Sequence, residues 1–150
     1  ENSGSANIDI IVELQSGWNL IGLPLYTEDT YYQYLFPEAV IGTLYGFDGT
    51  YIPGESLTSG NGYWLNFSDA GSTTIHGTPI NELTISLSQG WNLISGISEV
   101  VDVASISDPG SVIVPGTLYG FTGTYVSSSQ LDPGVGVINS HWAFPSGMRP

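Results

Sequence analysis

Gly17-Trp18-Asn19-Leu20-Ile21 returns as Gly90-Trp91-Asn92-Leu93-Ile94, and Thr43-Leu44-Tyr45-Gly46-Phe47-Asp48-Gly49-Thr50-Tyr51 returns as Thr117-Leu118-Tyr119-Gly120-Phe121-Thr122-Gly123-Thr124-Tyr125. The first pair is offset by 73 residues and the second by 74. Two matches at nearly one offset mark a duplicated structural unit. The period is too long for a solenoid coil and suits a small β unit. Gly, Trp, Tyr, Leu and Asn repeat; no acid, base or nucleophile repeats with them. The duplication therefore speaks for a scaffold before it speaks for a catalytic site.

The segments around the repeats read as short strands. Ile8 to Leu14 alternates in the manner of a strand with one buried face, and Leu83 to Leu87 is its counterpart. Gln15-Ser16-Gly17 and Ser88-Gln89-Gly90 are turns that open the Trp-bearing strands. Asp48-Gly49 between aromatic runs is a strong hairpin signal, and Gly123 keeps the glycine of that turn. Tyr63 to Phe67 and Ser72 to His76 are further strands. The helical candidate starts at Thr27-Glu28-Asp29-Thr30, runs from Tyr31 to Phe36 and stops at Pro37, with a shorter match at Val100 to Ile106. The expected fold is all-β: two homologous small β-sandwich or barrel units in tandem, related by a pseudo-twofold, with at most one short helix each. Residues 1–79 form the first unit, with a loose arm over 1–7, and residues 80–150 the second. A lone unit of this length would bury only about 60% of its unfolded surface, so the two are expected to pack together.

Composition narrows the function. Fourteen acids stand against one base, Arg149, for a net charge of −13. The charge argues against nucleic acid as a partner, since a single cation cannot displace enough phosphate counterions. Anionic membrane surfaces are disfavoured for the same reason, and no segment has the ~18 apolar residues of a membrane span. Without cysteine there are no disulfides, thiolate metal sites or Cys nucleophiles. Only 10% of residues are charged, so the surface is mostly Ser, Thr, Asn, Gly and Tyr. That mixture fits the outside of a cell. A chain opening at Glu1 without an apolar leader reads as one whose signal peptide has been removed, or as a fragment.

Chemistry-bearing constellations are sparse. His76 and His141 occupy non-matching places, and no G-x-S-x-G occurs; the expectation is a protein that is not an enzyme. No cofactor is expected. Glu28, Asp29, Asp48, Asp69, Asp102, Asp108 and Asp132 lie in turns, where Ca²⁺ would find oxygens, yet no D-x-D-x-D-G loop is present. Asn66-Phe67-Ser68 matches the glycosylation pattern. Trp18 and Trp91 read first as interior anchors, with Gly17 and Gly90 supplying the turn and Asn19 and Asn92 bonding their own turn backbone. The alternative is an aromatic platform for sugars. Tyr51, Tyr63, Trp64 and Tyr125 are the candidate ligand aromatics, since exposed Tyr suits glycans and protein interfaces alike.

The run Gly17 to Pro24, the Phe36-Pro37 helix end, the Tyr45 to Gly49 hairpin and Gly60-Asn61-Gly62-Tyr63-Trp64 together resemble an uncharacterised Gly-Trp-Asn-Leu-Ile type β repeat of secreted, multidomain bacterial surface proteins. The resemblance spans most of residues 12–67 and, more weakly, 85–138. Copy two departs from it: Ile97 replaces Pro24, and Val137-Ile138 replaces Tyr63-Trp64. The resemblance implies an extracellular, non-catalytic module and supplies no ligand residues. The first expectation is a cell-surface assembly module that associates with protein partners or copies of itself. Its donor strand would be Ile8, Ile10, Val12 and Leu14, and its acceptor edge would lie near the end of copy two. On that reading, deleting residues 1–14 leaves a soluble fold without polymers. The alternative is a carbohydrate-binding module.

Overall fold

The computed structural model describes residues 6–88, 90–107 and 118–141, with Ser140 and His141 described by backbone alone. Most of the N-terminal arm, Gln89, the turn Asp108-Pro109-Gly110, Thr117, the closing segment from Trp142 and the lone base Arg149 lie outside these residues.

In chain order the elements are β1 (Ile8–Leu14), β2 (Gly17–Gly22), β3 (Leu25–Tyr26), α1 (Tyr32–Leu35), β4 (Tyr45–Phe47), β5 (Tyr51–Pro53), β6 (Gly62–Phe67), β7 (Gly71–Pro79), β8 (Gly90–Ile94), β9 (Val101–Asp102), a 3-10 turn (Val103–Ser105), β10 (Tyr119–Phe121), β11 (Tyr125–Ser127), β12 (Gln130–Leu131) and β13 (Val137–His141). The protein is all-β, and its ladders are antiparallel. One four-stranded sheet has the order β2-β6-β4-β5 and another the order β8-β13-β10-β11. Strand for strand these are the repeat equivalents of each other. A three-stranded sheet, β1-β7-β3, and the pair β9-β12 complete the described structure.

The two Trp-bearing sheets meet through reciprocal backbone contacts. Ile21 bridges Val135, and Ile94 bridges Asn61. Gly22 N donates to Gly134 O at 3.1 Å, and Ser95 N donates to Gly60 O at 3.0 Å. Each contact is its partner's image when residues are moved by the repeat offset. The approach is close enough to need glycine. A Cβ on Gly62 would come 2.8 Å from the Ile94 carbonyl oxygen, and one on Gly136 would come 2.7 Å from that of Ile21.

The largest core cluster belongs to copy one and gathers Val12, Leu25, Phe36, Leu44, Leu65, Phe67 and Ile75, among others. A smaller one in copy two holds Ile94, Leu118, Leu131 and Val137. The third joins the halves: Leu20 and Trp64 pack with Leu93, flanked by Tyr45, Phe47, Phe121 and Ile138.

Several expectations need correction. Trp18 and Trp91 are not interior anchors; they are 42% and 49% exposed. Strand alternation explains this, because Asn19 takes the inward position, 6% exposed, and turns Trp18 out. The turn chemistry itself holds: Gly17 and Gly90 sit at φ 91° and 88°, and Gly49 and Gly123 at 78° and 92°. Leu83 to Leu87 alternates in burial yet forms no strand, having no ladder partner among the described residues. Its Leu83 and Ile85 side chains instead lie against Gly60, each 3.3 Å from where a Cβ would stand. The mirrored contact is made by Val12, packed against Gly134.

The repeat junction is no loose linker. β7 runs to Pro79, and Ile80, fully buried, donates its N–H to Ser98 Oγ at 2.7 Å. The helix is one turn long, with Asp29 Oδ1 accepting from Tyr31 N at 3.0 Å. Its counterpart is the 3-10 turn, capped by Asp102, which accepts from Ala104 N at 2.9 Å.

Candidate functional site

Six aromatic rings surround a cleft of about 520 Å³: Trp18, Tyr45, Tyr51, Trp64, Phe121 and Tyr125. Six strands of both four-stranded sheets deliver one ring each. The first four come from β2, β4, β5 and β6, the last two from β10 and β11. The volume falls in the usual range for small-molecule sites.

Strand register brings the rings together. β2 pairs with β6 so that Leu20 faces Trp64 and Trp18 faces Asn66, which leaves Trp18 diagonal to Trp64 on one face. Tyr45 sits opposite Trp64 in the neighbouring ladder. Trp18 meets Trp64 edge-on at 6.5 Å, and Tyr45 at 6.3 Å. From the other sheet, Phe121 meets Trp64 at 4.9 Å and an interplanar angle of 81°, and Tyr125 meets it at 6.4 Å. Trp64 is thus the hub, 9% exposed, with its indole Nε1 buried and unpartnered. Trp18, Tyr51 and Tyr125 form the open rim at 42%, 53% and 53% exposed. These geometries are the edge-to-face contacts that aromatic quadrupoles favour.

Among the described residues the lining holds no carboxylate, imidazole or amide. Its polar groups are tyrosine hydroxyls and indole N–H. Burial, and next the nearby Tyr51 hydroxyl, raise the Tyr125 pKa above its ordinary 10.0. Such a site can stack on a ring and donate a few hydrogen bonds.

The duplication is broken at this place. Trp91 meets Tyr119 at 6.3 Å, as Trp18 meets Tyr45, and Phe47 meets Tyr51 at 5.2 Å, as Phe121 meets Tyr125 at 5.4 Å. Ile138 stands where the repeat would place a second Trp64. Tyr51 and Tyr125 are each other's repeat equivalents and both line the one cleft.

Of the aromatics singled out from sequence, Tyr51, Trp64 and Tyr125 come together here. Tyr63 does not; it points into the core, 7% exposed, and its hydroxyl accepts from Thr58 N at 2.8 Å. Trp18, whose alternative reading is a sugar platform, joins the site, as do Tyr45 and Phe121, which are not among the candidate ligand aromatics. Their signal was present as alternation about Trp64, but using it requires knowing that β2 and β4 flank β6.

The candidate donor strand is already paired within its own chain, from Ile8 opposite Gly77 to Leu14 opposite Gly71. Val12 and Leu14 are buried at 2% and 7%, while Ile8 and Ile11 face outward. At the candidate acceptor end, β13 lies between β8 and β10. Among the described residues no group of three or more His, Cys, Asp or Glu is placed to hold a metal ion. Asp29 and Asp102 serve turns, Asp132 accepts from Gln130 Nε2, and His76 pairs with Asp9 across β1 and β7. No helix is long and apolar enough to cross a membrane among the described residues.

No protein-family model, curated protein or solved structure matches the chain.

Proposed function

We propose that this protein is a non-catalytic extracellular binding module that takes a saccharide in its aromatic cleft. It consists of two copies of one β unit, related by an approximate twofold axis, that build the site jointly. The observation that carries the reading is the ring of six aromatic side chains, contributed by both copies, around about 520 Å³ with three rings open to solvent. Exposed aromatic clusters of this extent are costly to maintain on a soluble surface and mark ligand or partner sites. A saccharide ring offers an apolar C–H face to such rings. The sequence resemblance to surface-protein repeats supports an extracellular, non-catalytic setting. The alternative, assembly by strand donation from Ile8 to Leu14, is weakened because that strand fills its own chain's sheet.

Titrating tryptophan fluorescence and heat against a panel of soluble oligosaccharides tests the reading. Binding is expected at one site per chain and should fall at least tenfold in Trp18→Ala and Tyr125→Ala, with Trp91→Ala unaffected. A panel without any binder, or a binder indifferent to Trp18 and Tyr125, rejects it.

A further inference from the structure

The cleft is set in a one-signed electrostatic environment. Twelve of the fourteen acids lie among the described residues, Glu1 and Asp108 being the others, and no Lys or Arg does. Asp48 occupies the turn of the hairpin that presents Tyr51. Among the described residues the lining itself carries no carboxylate or amide with which to grip a ligand's hydroxyl groups. What it offers is the electron-rich faces of indole and phenol rings. Such faces attract cations, and most strongly when the ring is Trp and the site is partly desolvated. The summed negative potential of the chain acts in the same direction and repels anions.

We propose that the saccharide recognised by this cleft carries a protonated amine, so that the site selects amino sugars over their N-acylated forms and over uronic acids. The inference rests on the saccharide-binding reading of the same cleft. Trp18, exposed beside the buried Trp64, stacks on the sugar ring, and Tyr51 and Tyr125, the two most exposed rings of the lining, flank the ammonium group. Because Ile138 replaces the second Trp64, the preference belongs to one site per chain.

The test compares a glucosamine disaccharide, its N-acetylated counterpart and a glucuronate-containing disaccharide by calorimetry on the intact chain, at low salt and below the amine's pKa. The amine form is expected to bind tightest, by roughly 2- to 30-fold over the N-acetyl form, and the uronate weakest. Choline is expected to compete better than its uncharged isostere 3,3-dimethylbutanol. Trp18→Ala and Tyr125→Ala, both at exposed positions and without change of net charge, should erase the preference. Equal binding of amine and N-acetyl forms overturns the inference and leaves the saccharide reading standing. A preference that survives both substitutions assigns it to the acidic surface at large and overturns the cleft's role. Absence of binding by all three sugars overturns both readings together.

Discussion

Ser95 fills the space that a side chain on Gly22 would need. A Cβ built on Gly22 overlaps the Ser95 Cβ and comes 2.5 Å from its Oγ. The two are repeat equivalents, five residues past Gly17 and Gly90, so the duplicated position meets its own copy. Only one of them has room for a side chain. Ser95 uses that room to donate to Asn61 O at 2.9 Å and is 1% exposed. Gly22→Ser should therefore destabilise by about 1–3 kcal/mol or more, the range for forced overpacking. The swap Gly22→Ser with Ser95→Gly should recover most of that loss. Urea denaturation of both singles and the double gives the coupling energy, and additive effects would contradict this packing.

Asn19 holds its turn with three hydrogen bonds: Oδ1 accepts from Gln15 N at 3.0 Å, and Nδ2 donates to Gln15 O at 2.9 Å and Gly17 O at 3.2 Å. Asn92 repeats the set on Ser88 and Gly90. Asn19 is buried and Asn92 only half-buried. An unsatisfied buried amide costs about 1–3 kcal/mol, and less where water can substitute. Asn19→Ala should lower the denaturation midpoint clearly more than Asn92→Ala. Equal effects would mean that burial does not set the cost.

This turn was legible in the sequence, because Gly-Trp-Asn carries its chemistry within four residues. So were the hairpins, where Gly49 and Gly123 sit at the positive φ their turns require. The direction of Trp18 was not. Size and apolarity pointed it inward, but alternation gives the inward side to Asn19, whose three local bonds fix the register. The cleft was legible only by halves. Trp64, Tyr51 and Tyr125 stood out as aromatics; which rings they would face depends on ladders between strands far apart in the chain and on a contact between the two repeats. No local pattern records either. The fate of Leu83 to Leu87 shows the same limit, since alternation predicts a buried face and cannot supply a ladder partner.

The N-terminal strand makes a prediction opposite to that of a spare donor. β1 pairs over seven residues with β7, buries Val12 and Leu14 in the main core, and seats Val12 against Gly134 of the other repeat. Removing residues 1–14 should leave an aggregating or unfolded chain by circular dichroism and sizing. Val12→Ala alone should cost about 0.5–1.5 kcal/mol or more, since it removes buried methyl groups at a contact between repeats. A truncated chain that stays folded and monomeric would show that β1 is dispensable and return it to the role of a detachable strand.

Tyr125 makes the pH dependence specific. Its pKa lies above 10.0 because burial disfavours the phenolate and, secondarily, because Tyr51 is near. A group whose folded value exceeds its unfolded value favours the protonated form in the folded state. Its stabilising contribution is complete below pH 10.0 and is lost as pH rises through the folded value. The absorbance titration of wild type minus Tyr125→Phe should have its midpoint above 10.0, and Tyr51→Phe should move that midpoint down. A saccharide bound in the cleft removes more water from the ring and should move it further up. Saccharide that binds without moving it would place the ligand away from Tyr125, whatever its affinity.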